Sequence, residues 1–178
     1  MKSIPQLILA LFLLISCREN VDLSQLENYE GPIRITTNME LYHSDSAKVR
    51  TILTGDKQLE FPNGDIEFPE GISIDFFEKN GELSTTIRAD RGFYDRKNNL
   101  YMGEGDVEVH NIIKDQKLNS EELFWDPNKD IIFTEKFVTV QRQDGTIING
   151  TGMEADQQFN EYTFHKIERS KIPLPGEE

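Results

Sequence analysis

The stretch from Tyr94 to Val140 says the same thing twice, and that repetition restricts the possible folds more than anything else in the chain. Tyr94-Asp95 opens a polar turn, Leu100-Tyr101-Met102 follows, and Val107-Glu108-Val109 closes the unit. Thirty-one residues on, Trp125-Asp126 opens an equivalent turn, Ile131-Ile132-Phe133 follows, and Val138-Thr139-Val140 closes it. Repeats of this length are stacked units, none of which can bury its apolar face alone. Weaker copies flank the pair: Phe68 to Ile74 matches the closing strand, and Ala155 to Asn160 matches the aspartate-led turn.

The period throughout is two. Ile33 to Thr36, Ile72 to Phe76, Val107 to His110 and Val138 to Gln141 alternate apolar with polar, as half-buried strands do. Turn signals at Pro62-Asn63-Gly64-Asp65, Lys79-Asn80-Gly81, Asp126-Pro127-Asn128 and Gln143-Asp144-Gly145 separate them. Asp144-Gly145 is the strongest hairpin signal. The pattern predicts an all-β domain of about ten short antiparallel strands: a sandwich, roll or solenoid. Pro62 and Pro69 belong at strand ends, because proline cannot donate to a ladder. The inward beat comprises Ile72, Ile74, Leu100, Met102, Val107, Val109, Ile131, Phe133, Val138 and Val140, with Tyr94 and Trp125 as large aromatics at equivalent places. Periodicity puts these on one side and leaves open whether protein fills that side or an apolar ligand does.

At the N-terminus, Lys2 precedes nine apolar residues, Leu7 to Ile15. That is about half of the roughly twenty needed to span a bilayer, the proportion of an export signal. Leu14-Ile15-Ser16-Cys17 resembles the lipobox of bacterial lipoproteins, which implies that Cys17 is acylated and becomes the first residue of the processed chain. Cys17 is also the sole cysteine, so no intrachain disulfide can form. The expected organisation is a lipoprotein signal peptide over 1–16, a lipidated linker over 17–30, a β domain over 31–170 and a tail over 171–178.

Composition excludes more than it assigns. The chain carries 19 basic and 32 acidic residues, a net charge of -13, with no Lys/Arg cluster, which argues against nucleic acid as a partner. His43, His110 and His165 stand far apart, without a second ligand at metal-binding spacing. No nucleophile elbow or glycine-rich phosphate loop is present. The reading is therefore non-enzymatic, with no cofactor and no metal.

Motif order narrows this further. Ala89-Asp90, Tyr94-Asp95, Gly103-x-Gly105-x-Val107-x-Val109, Leu118-Asn119-Ser120-x-x-Leu123-x-Trp125-Asp126, Val138-Thr139-Val140 and Ile148-x-Gly150-x-Gly152-Met153-Glu154-Ala155-Asp156 follow an N-terminal anchor. Over roughly Gly31 to Arg169 this resembles the LptC family and its OstA-like relatives. The resemblance implies a twisted, open β-jellyroll at the periplasmic face of the inner membrane. It implies a role in lipopolysaccharide export, with lipid A acyl chains held inside, an ABC transporter upstream and a periplasmic bridge protein downstream. Both partners would be joined by β-strand augmentation, the first near Ile33 to Met39 and the second near Met153 to Ile167. Many members carry an uncleaved transmembrane helix where this chain has a lipobox. The rival reading is a structural or adhesive β-repeat lipoprotein with a closed core.

Overall fold

The computed structural model describes residues 29–172, so the export segment, Cys17 and most of the expected tail lie outside the described residues. Eleven antiparallel strands form one sheet: β1 (Arg34–Asp45), β2 (Lys48–Glu60), β3 (Ile66–Phe68), β4 (Ile72–Phe77), β5 (Leu83–Ala89), β6 (Arg91–Asp95), β7 (Leu100–Asn111), β8 (Gln116–Asp126), β9 (Ile131–Gln141), β10 (Ile147–Asp156) and β11 (Tyr162–Ile167). There is no helix among the described residues, and therefore none long and apolar enough to cross a membrane. Pro62 falls in the β2–β3 turn, Pro69 just beyond β3, and Asp144-Gly145 in the β9–β10 hairpin, as the turn chemistry predicts.

The strands are longer than expected because one sheet makes two layers. From β11 the sheet runs through β10, β9 and β8 to β7, where it divides. The first half of β7 pairs with β6, which leads through β3 to the end of β2. The second half pairs with β5, which leads through β4 to the middle of β2. β1 lies along the outer edge of β2. Irregularities fall on one line across the long strands: between Glu104 and Val107 in β7, between Ser120 and Phe124 in β8, and between Thr151 and Met153 in β10. Bulges bend a strand and increase its twist, so this line is the corner at which the sheet folds over. Gly105 and Gly152 supply the left-handed conformations needed there, with φ of 78° and 67°.

At the fold the layers touch closely. A Cβ on Gly92 would lie 2.8 Å from Ile72, and one on Gly103 would lie 3.0 Å from the Ala89 methyl. Between the layers Val107, Val109, Leu118, Ile132, Val138, Val140 and Met153 are wholly shielded from solvent. Each such side chain stabilises the fold by roughly 1.5–3 kcal/mol relative to exposure. The void beside Ile72, Ile74, Ile87 and Leu123 is only about 20 Å³. The architecture is a twisted jellyroll whose two layers close on a packed interior.

The alternation corrects part of the expected inward beat. Ile72, Ile74, Val107, Val109, Val138 and Val140 are buried between the layers. Ile131 and Phe133 are not on that side: Ile132 and Thr134 are the buried residues, and they share parity with Val138 and Val140. In β7, likewise, Tyr101 packs inward against the core, so Leu100 and Met102 take the outer face. Met102 stands opposite Phe124, and Phe124 opposite Phe133, with those two rings stacked 5.2 Å apart on the outer face.

Candidate functional site

A cleft of about 660 Å³ lies between the β1–β2 hairpin and the two repeated turns. Its floor is apolar, formed by Leu41, Leu53, Tyr101 and Trp125. Leu41 lies opposite Leu53 across the β1–β2 ladder and is half exposed, whereas Leu53 is buried. An aromatic row continues from the floor: Tyr94 contacts Tyr101 with ring centroids 4.5 Å apart, and Tyr101 stacks on Trp125 at 4.9 Å. The two aromatics that mark the repeat, Tyr94 and Trp125, thus sit on either side of Tyr101. Burial pushes the Tyr101 phenol up to about 12, so it stays neutral at any physiological pH.

The rim is polar and comes from the repeated turns. Asn99 Nδ2 donates to Asn128 Oδ1 at 2.9 Å, joining the first turn to the second. Asp95 accepts from the Asn98 backbone N–H at 3.1 Å and from its side-chain amide, and Asp126 accepts from Lys129 Nζ and the Asn128 N–H, both at 3.0 Å. The Asn98 amide holds the Asp95 carboxyl below its ordinary range, and the Lys129 ammonium does the same for Asp126 against the opposing effect of burial. A folded-state value below the unfolded one adds stability above the unfolded value, about 3.9, which is lost as pH falls through the lower folded value. Urea midpoints should therefore fall as pH drops below about 4. Asp126→Ala should lessen that dependence, and an unchanged slope would remove the Asp126 turn as a source. The turns are more than connections, since they frame the mouth.

Three sets of polar and aromatic contacts join the two layers beside their packed interior. Trp125 meets Phe76 of the opposite layer edge to face, with centroids 5.2 Å apart, while its Nε1–H donates to Gln157 Oε1 at 3.1 Å. Arg142, at the end of β9, donates from Nε to the Tyr162 hydroxyl at 2.8 Å and lies over that ring. The third contact is the strap between β10 and β11. Its Gln157 N–H donates to the Asp130 carbonyl at 2.9 Å in one layer. On the other layer the Gln158 carbonyl accepts from Thr85 Oγ1 at 2.6 Å and from Asn111 Nδ2 at 2.8 Å, and the Phe159 carbonyl accepts from the Gln116 amide. Phe159 itself, at φ 53°, projects into the interior and is completely buried.

Of the sequence-predicted residues, only Trp125 lines this cleft, while Ile72, Ile74, Val107, Val109, Val138 and Val140 lie behind it in the packed interior. Leu100, Met102, Ile131 and Phe133 are on the outer face. Sequence reading missed Leu41, Arg50, Leu53, Tyr101 and Phe159. Phe159 did leave a signal, as the lone large apolar residue in an otherwise polar turn. Among the described residues, no group of three or more His, Cys, Asp and Glu side chains could hold a metal ion.

Among the described residues the sheet has two free edges, β1 and β11, since each pairs with one neighbouring strand there. Most of β1 is exposed apart from Thr36 and Met39, with Ile35, Leu41 and Tyr42 more than half exposed, and Ile167 of β11 is 67 % exposed. Long apolar edges of this kind are templates for pairing with another chain. Comparison with known proteins gives one finding: residues 33–167 match the family model described as "Lipopolysaccharide-assembly, LptC-related". No curated protein matches the chain.

Proposed function

This chain belongs to the LptC-related family of lipopolysaccharide-assembly proteins, and from that premise we propose that it relays lipopolysaccharide through its jellyroll without catalysing a reaction. Family membership carries a role in lipopolysaccharide transport on the periplasmic side of the inner membrane. The finer reading is that acyl chains enter at the aromatic cleft and pass between the two layers. The observation that carries it is a cleft, lined by Leu41, Leu53, Tyr101 and Trp125 among others, that adjoins an apolar interior. Keeping each methylene from water is worth about 0.8 kcal/mol, so a lipid with several acyl chains strongly favours such a path.

The cleft is within the range of small-ligand pockets, roughly 300–1,000 Å³, and lipid A exceeds it, so the layers part further as lipid enters. Val107, Val109, Val138 and Val140 then become the wall of the path, with Ile72 and Ile74 facing them. The outer-face residues Leu100, Met102, Ile131 and Phe133 take no part. β1 pairs with a periplasmic strand of the ABC transporter and β11 with the bridge protein, extending one sheet across three proteins. Cys17, acylated, tethers the chain to the inner membrane, with 17–30 as the linker and 31–170 as the working domain. More than one acyl chain makes such a tether stable.

A closed structural module is the second reading, and the densely filled interior favours it. Trp125, the sole tryptophan, separates the two. Full-length protein in detergent, titrated with lipid A, should show a saturable shift of tryptophan emission to shorter wavelength. Emission that stays at the detergent baseline would favour the closed module.

A further inference from the structure

Among the described residues, Arg50 is the one that lines the cleft with a buried donor that has nothing to bind. Its Nη1 is shut off from solvent with no hydrogen-bond partner, although the residue lines the cleft beside Leu53 and Trp125. The position is built by the backbone: Ser44 pairs with Val49 and His43 with Thr51, which leaves Arg50 as the extra residue of a bulge. Bulges re-aim a side chain, and this one sets a guanidinium in the lining of the cleft. Asp45 and Asp130 line the same cleft, yet among the described residues no ion pair includes Arg50. An unpaired guanidinium N–H is costly to leave buried, and a phosphate is the acceptor its planar fork fits best.

We infer that Arg50 binds a phosphate on the head group of the lipid whose acyl chains enter the cleft, which rests on the relay reading above. The lining of the cleft matches such a ligand, since aromatic and aliphatic side chains share it with one unpaired cation. A neutral amphiphile would gain from the floor alone.

The test follows Trp125 emission in full-length protein titrated with lipid A carrying both phosphates, with lipid A stripped of both, and with inorganic phosphate alone. Wild type should bind the phosphorylated lipid about tenfold more tightly, the worth of one charge-assisted hydrogen bond. Arg50→Gln should abolish that preference while binding the stripped lipid as wild type does. Arg50→Lys should keep part of it, which shows that charge rather than a folding defect is responsible. A preference that survives in Arg50→Gln overturns the assignment of Arg50 and leaves lipid entry standing. A response to inorganic phosphate alone at comparable concentration overturns the head-group assignment. Absence of response to either lipid in wild type overturns both the relay reading and this inference.

Discussion

Phe159→Ala should destabilise the domain by about 3–5 kcal/mol, the cost of emptying a large aromatic site in a core. Phe159 is fully buried, and its ring stacks on Tyr162 at 5.1 Å. The strap that carries it is held at both ends. The Asp156 carboxylate accepts from the N–H groups of Gln158, Asn160 and Glu161, and Thr85, Asn111 and Gln116 hold its carbonyls from the other layer. The strap therefore cannot collapse easily into the space the ring leaves, which puts the cost high in the range. Urea unfolding of the full-length protein measures it. A loss below about 1 kcal/mol would mean that the ring fills no essential space, since even an Ile→Val truncation in a core costs that much. In the relay account Phe159 also occupies part of the lipid's path, so the variant should bind lipid A more readily despite its lower stability.

Gly150→Val should cost about 3 kcal/mol, the upper end for overpacking, because the backbone as well as a side chain stands in the way. A Cβ at Gly150 would lie 2.6 Å from the Lys166 carbonyl oxygen and would overlap the Phe164 ring. Both groups belong to β11, so relief requires that strand to leave β10, where Gly150 now stands opposite Ile167. Hydrogen exchange should show protection lost first along Tyr162–Ile167, with the pairing of β8 to β9 retained. Protection that persists along β11 would show that the edge can absorb the methyl groups. If β11 is the surface on which the bridge protein adds its strand, the same variant should fail to pass lipid onward while still loading it.

The sheet was legible in the sequence because period-two alternation and Asn/Asp/Gly turns are local signals. The turns at 96–99 and 127–130 lie where the repeated Tyr94-Asp95 and Trp125-Asp126 pairs place them. Which face each residue takes was only partly legible. Ile131 and Phe133 differ in parity from Val138 and Val140, and the repeat does not override alternation: Ile132 is the buried residue. In β8 the buried beat moves from Leu118 to Leu123 across an irregularity marked by nothing but Glu121-Glu122. The corner in β7 and β10 was more readable, through Gly105 and Gly152. The cleft was least legible of all. Leu41, Arg50 and Leu53 reach it through a β1–β2 hairpin some forty residues or more from the repeats in sequence, and the arginine's position depends on a bulge without glycine or proline to announce it.

The facing of these residues gives the sharpest test of the relay. A photo-crosslinking amino acid placed at Leu41 or Trp125, both in the cleft, should form a lipopolysaccharide adduct in living cells. Placed at Phe133, which the sheet turns to the outer face, it should not. Equal labelling at Phe133 and Trp125, or no labelling at Leu41 and Trp125, would contradict passage of lipid through the jellyroll.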